Sequence, residues 1–142
     1  MRRVNNVFNW YLYTSAWIDF IRGKPSTPVE QLRAILWTEQ TARISPVIYQ
    51  EILQGSETEQ RFKHFRDYFM ELNFYHPKDP TDTYAQAAYL YFSCRRKGIT
   101  IRSTIDCLIA QTAIEHNLIL LHSDKDFLRI AEVTPQLQLY SA

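Results

Sequence analysis

Glu51, Asp106 and Asp124 fall where a carboxylate can take part in chemistry as well as in solvation. Asp124 follows the apolar run LILL, Leu118 to Leu121, which reads as a strand covered on both faces. In an open parallel sheet, ligands gather beyond the carboxyl ends of such strands. Asp106 lies in the first turn of a helix that Ser103 or Thr104 caps, and Glu51 in the second turn of one that begins at Ser45 and Pro46. From those places the three acids can project toward one rim. Carboxylates held together repel unless a hard divalent cation sits between them, and Mg²⁺ or Mn²⁺ prefers oxygen ligands. Such a site activates water and neutralises a phosphodiester. Each acid also has a purely structural use: Asp106 complements a helix dipole, Asp124 caps the turn after it, and Glu51 decorates a solvated face.

Other chemistries lack their residues. Three glycines in 142 residues cannot build a Gly-x-Gly-x-x-Gly or Walker loop, which sets aside dinucleotide and nucleoside triphosphate enzymes. The histidines His64, His76, His116 and His122 have no zinc-binding spacing, and no Gly-x-Ser-x-Gly elbow offers a serine nucleophile. A phosphoacceptor receiver would need acids bunched after the first strand, and these are absent. The formal charge of +1 provides no broad basic field, so contact with nucleic acid must rest on local patches or bridging cations. Cys94 and Cys107 sit in apolar helical patterns as small hydrophobes, which fits a reducing, cytoplasmic setting. Asn5, Asn6 and Asn9 interrupt the apolar residues near the start, so neither a signal-peptide core nor a membrane span is read there, and a soluble protein is expected.

The elements that must position the acids alternate in type. A first strand ends at Leu12-Tyr13, before Thr14-Ser15 and a short helix to Ile21. Thr27, Pro28 and Glu30 form a capping box for a helix bearing Leu32, Ile35 and Leu36. Ile44 closes a short strand, and the helix that follows ends at Gly55. From Glu57 to Leu72 the residues Phe62, Phe65, Phe69 and Leu72 keep helical spacing, and Asn73 to Tyr75 is extended. Asp82 is expected to cap the next helix, which runs to Gly98. Ile99 to Ile101 is either a very short strand or an extended connection, and the helix bearing Asp106 ends near Asn117. SDKDF starts a last helix, and LQLY reads as an edge strand. Alternating strands and helices in one 142-residue domain imply an α/β fold with a mainly parallel sheet and right-handed crossovers.

The stretches TSAWIDFIRG, ISPVIYQEIL and RSTIDCLIAQTAIEHNLILLHSDKDF, in that order, resemble the PIN-domain family, specifically the VapC toxins of bacterial toxin–antitoxin pairs. The resemblance implies a Rossmann-like three-layer fold with a central, mainly parallel sheet flanked by helices. It implies an Mg²⁺- or Mn²⁺-dependent endoribonuclease with an RNA substrate, a homodimer, and a cognate antitoxin whose bound segment blocks the pocket. Glu51 looks like the family's second acid, Asp106 in DCLIA its third and Asp124 in SDKDF its fourth, while Ser15 resembles the hydroxyl that supports the pocket. Asp126 is a minor candidate. The departure is at Tyr13: where the family's strand ends as Val-Asp-Thr-Ser, this one ends as Leu12-Tyr13-Thr14-Ser15. A phenol with a reference pKa of about 10 is neutral at pH 7 and a poor ligand for a hard cation. Reduced metal affinity and cleavage are expected. An inactivating substitution and natural decay into a partner-binding module both remain open as its origin.

Around an acidic pocket, phosphate contacts would come from Arg22, Lys24, Arg95, Arg96, Lys97 or Arg102. CRRKG is also an ordinary helix C-terminus, and Arg102 can instead brace the pocket. The stripe Phe62, Phe65, Phe69 lines either a groove for an antitoxin peptide, a homodimer face, or simply the core. The competing class is a non-catalytic PIN-fold binding module.

Overall fold

A computed structural model describes residues 10–12, 30, 43–122 and 124–139. Tyr13, Ser15, Arg22 and Lys24 lie outside the described residues, as do the helix expected from Ser15 to Ile21 and all of the capping-box helix except Glu30, which is helical.

The strands are β1 (Trp10–Leu12), β2 (Arg43–Ile44), β3 (Asn73–Phe74), β4 (Ile119–Leu121) and β5 (Gln138–Leu139). They form one sheet in the order β3-β2-β1-β4-β5, every neighbouring pair parallel. Among the described residues from 43 onward the helices are α1 (Pro46–Gln54), α2 (Glu59–Phe69), α3 (Pro80–Arg96), α4 (Thr104–Glu115) and α5 (Lys125–Val133). Successive strand residues face opposite sides, and Leu120 and Leu121 are both fully buried, so β4 is covered above and below. The result is an α/β fold with a parallel sheet, and LQLY is its edge strand. The chain builds outward from β1 to β3 on one side and then from β4 to β5 on the other. The order therefore reverses between β1 and β4, where Leu12 is in register with Leu121.

Local chemistry sets the helix starts. Ser45 accepts the Ile48 N–H at 3.4 Å with Pro46 at the first position, and Gly55 caps the C-terminus of α1. Thr58 does the same for α2 through the Arg61 N–H at 3.1 Å. The cap of α3 is Asp79 and not Asp82: Asp79 accepts the Asp82 N–H at 3.4 Å and Pro80 takes the first helical position. Asp82 lies in the first turn, where its charge suits the helix dipole. Gly98, at φ 76°, lets the chain leave α3 in the left-handed conformation. Ile99 to Ile101 is an extended connection, not a strand.

The core centres on α4, whose Asp106, Cys107, Leu108, Ile109, Ala110, Thr112 and Ala113 are buried. Ile44, Ile48, Phe69, Leu118, Leu120, Phe127 and Ile130 join it. The stripe on α2 divides: Phe69 is 1% exposed in the core, Phe65 packs against the core half-buried, and Phe62 is exposed. Among the described residues no helix is long and apolar enough to cross a membrane.

Candidate metal centre and its charge network

The carboxyl ends of parallel strands at a reversal of strand order leave a crevice, and two of the predicted acids enter it. Asp106 stands in the first turn of α4, directed by the Ser103 cap, whose hydroxyl accepts the Ile105 N–H at 3.1 Å. Asp124 lies three residues beyond β4 and caps α5, accepting the Asp126 N–H on Oδ1 at 2.9 Å. The third member is Asp126, fully buried in the first turn of α5. One oxygen from each of Asp106, Asp124 and Asp126 lies within 4.8 Å of the others. Glu51, half-buried on α1, is not part of that group.

Asp126 has donors on both of its oxygens. Oδ2 accepts the Arg102 backbone N–H at 3.1 Å and lies 3.4 Å from Arg102 Nε, and Oδ1 accepts Arg129 Nη1 at 2.8 Å. Burial pushes this carboxyl up, but the Arg102 N–H and the two guanidinium groups outweigh it and hold the group below the usual carboxylate range. Asp126 is thus an anion fixed by its own protein, and its N–H in turn orients Asp124. Arg102 also donates from Nη2 to Asp124 Oδ1 at 3.1 Å, and the two aspartates raise its already high pKa. These contacts on Asp124 all fall on Oδ1; Oδ2 receives none of them.

His122 shapes the loop between β4 and α5. Burial lowers its pKa below the ordinary imidazole value against the opposing pull of the Asp124 backbone and charge. Nδ1 lies 3.1 Å from the Asp124 carbonyl oxygen and 3.3 Å from the Asp124 backbone nitrogen, so the ring ties the loop together through that residue's main chain. The ring stands edge-on to Phe127 at 5.6 Å. Beneath Asp106, burial, assisted by Cys94 and the nearby aspartates, pushes the Cys107 thiol up to about 12 and leaves it inert. Arg95 and Arg96 are exposed at the end of α3, their guanidinium groups over Tyr91 and Phe92 at 5.8 and 5.5 Å. They suit the helix C-terminus and are not part of the acid cluster.

The donor set fits a small hard divalent cation. It is all oxygen, it is anionic, and it holds few enough protein ligands to leave room for water and substrate. Asp126 is committed to Arg102 and Arg129. Sequence reasoning placed Asp126 in a minor role and missed Arg129. The signal was available: an acid and an arginine three apart on one helix share a face.

The profile of the PIN-domain family matches residues 11–133. The chain belongs to the PIN-domain family. It is 36% identical over 123 residues to the protein named Ribonuclease VapC11 of Mycobacterium tuberculosis, a match spanning 85% of this chain and 90% of that one. The chain also superposes on the VapBC2 structure of Rickettsia felis, solved bound to a promoter DNA fragment, with a TM-score of 0.70 at 21% identity, covering 92% of this chain and 96% of that one. A toxin–antitoxin complex from Klebsiella pneumoniae gives a TM-score of 0.65 at 16% identity, covering 92% and 95%. At those identities the structures establish the PIN fold, and the sequence relatives place the chain among the VapC-type members.

Proposed function

We propose that this chain is the ribonuclease toxin of a VapC-type toxin–antitoxin pair, built to hydrolyse RNA phosphodiester bonds with Mg²⁺ or Mn²⁺. The observation that carries the reading is the meeting of Asp106 and Asp124 at the strand-order reversal, in a chain 36% identical to a named VapC ribonuclease. Asp106 and Asp124 would hold the cation, with Glu51 as the family's further acid on α1. A cation bound there supplies Lewis-acid activation of water and neutralisation of phosphodiester charge. Asp126 acts on the chemistry through its hold on the Asp124 loop.

Tyr13 is the defect in this machinery. It follows β1 in the motif position of the first aspartate, and a neutral phenol brings neither the charge nor the small hard donor that the position calls for. We therefore assign this chain a much reduced cleavage rate. The second reading, a non-catalytic PIN-fold module that binds an antitoxin, is favoured by that same residue. A ribonuclease assay in Mn²⁺ comparing the chain with Tyr13→Asp decides between them: cleavage restored by the aspartate supports the toxin, and silence in both supports the module.

The reading includes a cognate antitoxin partner and a homodimer. An apolar groove of about 300 Å³ between α3 and α4, lined by Tyr84, Ala87, Ala88, Tyr91, Ile105 and Leu108, supports a self-contact. Tyr84, Ala88 and Tyr91 follow helical spacing along one face, and Tyr84 is 58% exposed.

A further inference from the structure

Arg102 is held at two points that differ in strength. Its backbone N–H is fixed to buried Asp126, which Arg129 also holds from the other side at 2.8 Å. Its guanidinium is 71% exposed and reaches Asp124 through one 3.1 Å contact and Asp126 through a longer one of 3.4 Å. Ion pairs so exposed are weak and easily exchanged. Removing the guanidinium would leave Asp126 with a backbone donor and Arg129, so the loop does not depend on it. Asp124 is different, because a cation approaching its Oδ2 takes up the negative charge that holds the guanidinium at Oδ1 and repels that guanidinium.

We propose that Arg102 is an internal counter-ion that a divalent cation displaces from Asp124, and that the released guanidinium then takes a phosphate of the RNA. This rests on the ribonuclease reading and adds an ordered role for a positioning residue. In the cation-free state Arg102 offsets repulsion between the aspartates. Once a cation takes over that task, the planar fork, still tethered by its main chain to Asp126, faces solvent beside the acids. A guanidinium matches a phosphate by charge and by paired N–H donors.

Calorimetric titration with Mn²⁺, together with anisotropy of a short fluorescent single-stranded RNA, tests the exchange. Arg102→Ala removes the competitor and should tighten Mn²⁺ up to about fivefold at low salt, the upper limit set by an exposed ion pair. In the presence of Mn²⁺ it should weaken RNA binding by a similar factor, and Arg102→Gln should behave alike. A residue that only braced the loop would weaken both. Unchanged or weaker Mn²⁺ binding in Arg102→Ala, with Asp106→Asn still abolishing the binding seen in the parent, overturns the exchange and leaves the metal site standing. Tighter Mn²⁺ with unaltered RNA binding refutes the phosphate contact. Absence of Mn²⁺ binding in parent and Arg102→Ala alike, and again when both carry Tyr13→Asp, removes the metal site itself, and the exchange with it.

Discussion

Replacing Asp126 with asparagine isolates the acid that the two arginines hold. The carboxylate is fully buried and receives three donors, at 2.8, 3.1 and 3.4 Å. Breaking a buried ion pair costs about 3–5 kcal/mol when the orphaned partner stays buried. Here Arg102 and Arg129 are 71% and 45% exposed and can turn to water, so most of that penalty is avoided. What water cannot repair is the Arg102 backbone N–H, which costs about 1–3 kcal/mol when left without an acceptor. Asparagine keeps one acceptor oxygen but points an NH₂ group at a donor on the other side. The expected loss is about 2 kcal/mol at pH 7, near the middle of that range. At about 3 °C per kcal/mol for a chain of this length, Tm falls by about 6 °C.

The pH dependence supplies the sharper check. Burial raises the Asp126 carboxyl, but the Arg102 N–H and the two arginines hold it below its unfolded value of about 3.9. Its contribution is therefore present above that value and is lost as pH falls through the lower, folded pKa. Urea denaturation of parent and Asp126→Asn from pH 7 to pH 2 should show a gap that is widest at neutral pH and narrows below about pH 4. Equal stability at pH 7, or a gap that stays constant into acid, would refute the assignment of Asp126 as the charged centre of the network.

Two other tests concern the core and the surface. Iodoacetamide should leave Cys107 unmodified in the native protein at pH 8 and label it in urea, because burial pushes its thiol up to about 12; alkylation of Cys107 in the folded state contradicts this. By the same linkage its contribution is present below an unfolded pKa of about 8.5 and lost as pH rises toward the folded value, so the parent should lose more stability than Cys107→Ala between pH 8.5 and 11. Sedimentation should report a dimer at micromolar concentration that Tyr84→Asp converts to monomer. A monomeric parent would remove the self-contact from the α3 face.

Much of the fold was legible because its signals are local. Ser45 with Pro46, Ser103 before α4, and Gly98 after α3 act within a few residues of themselves, and the apolar run before His122 is a covered strand on its own evidence. Asp82 was mistaken for a cap because the same proline rule, satisfied by Asp79 and Pro80, was not applied there. Pairing Asp124 with Asp106 needed only the rule that sites gather at strand ends, and the family resemblance supplied the rest.

The amino-acid sequence alone determined the alternation of elements, the acids that reach the strand ends and the phenol at position 13. Only the tertiary structure decided that Asp126 is clamped, that Arg102 links it to Asp124, and that Asp126 clusters with Asp106 and Asp124. Caps and periodicity depend on neighbours along the chain, whereas Arg102 meets Asp126 across 24 residues. Whether a carboxylate binds a metal or an arginine is set by which charges share its low-dielectric surroundings, and spacing along the chain does not encode that.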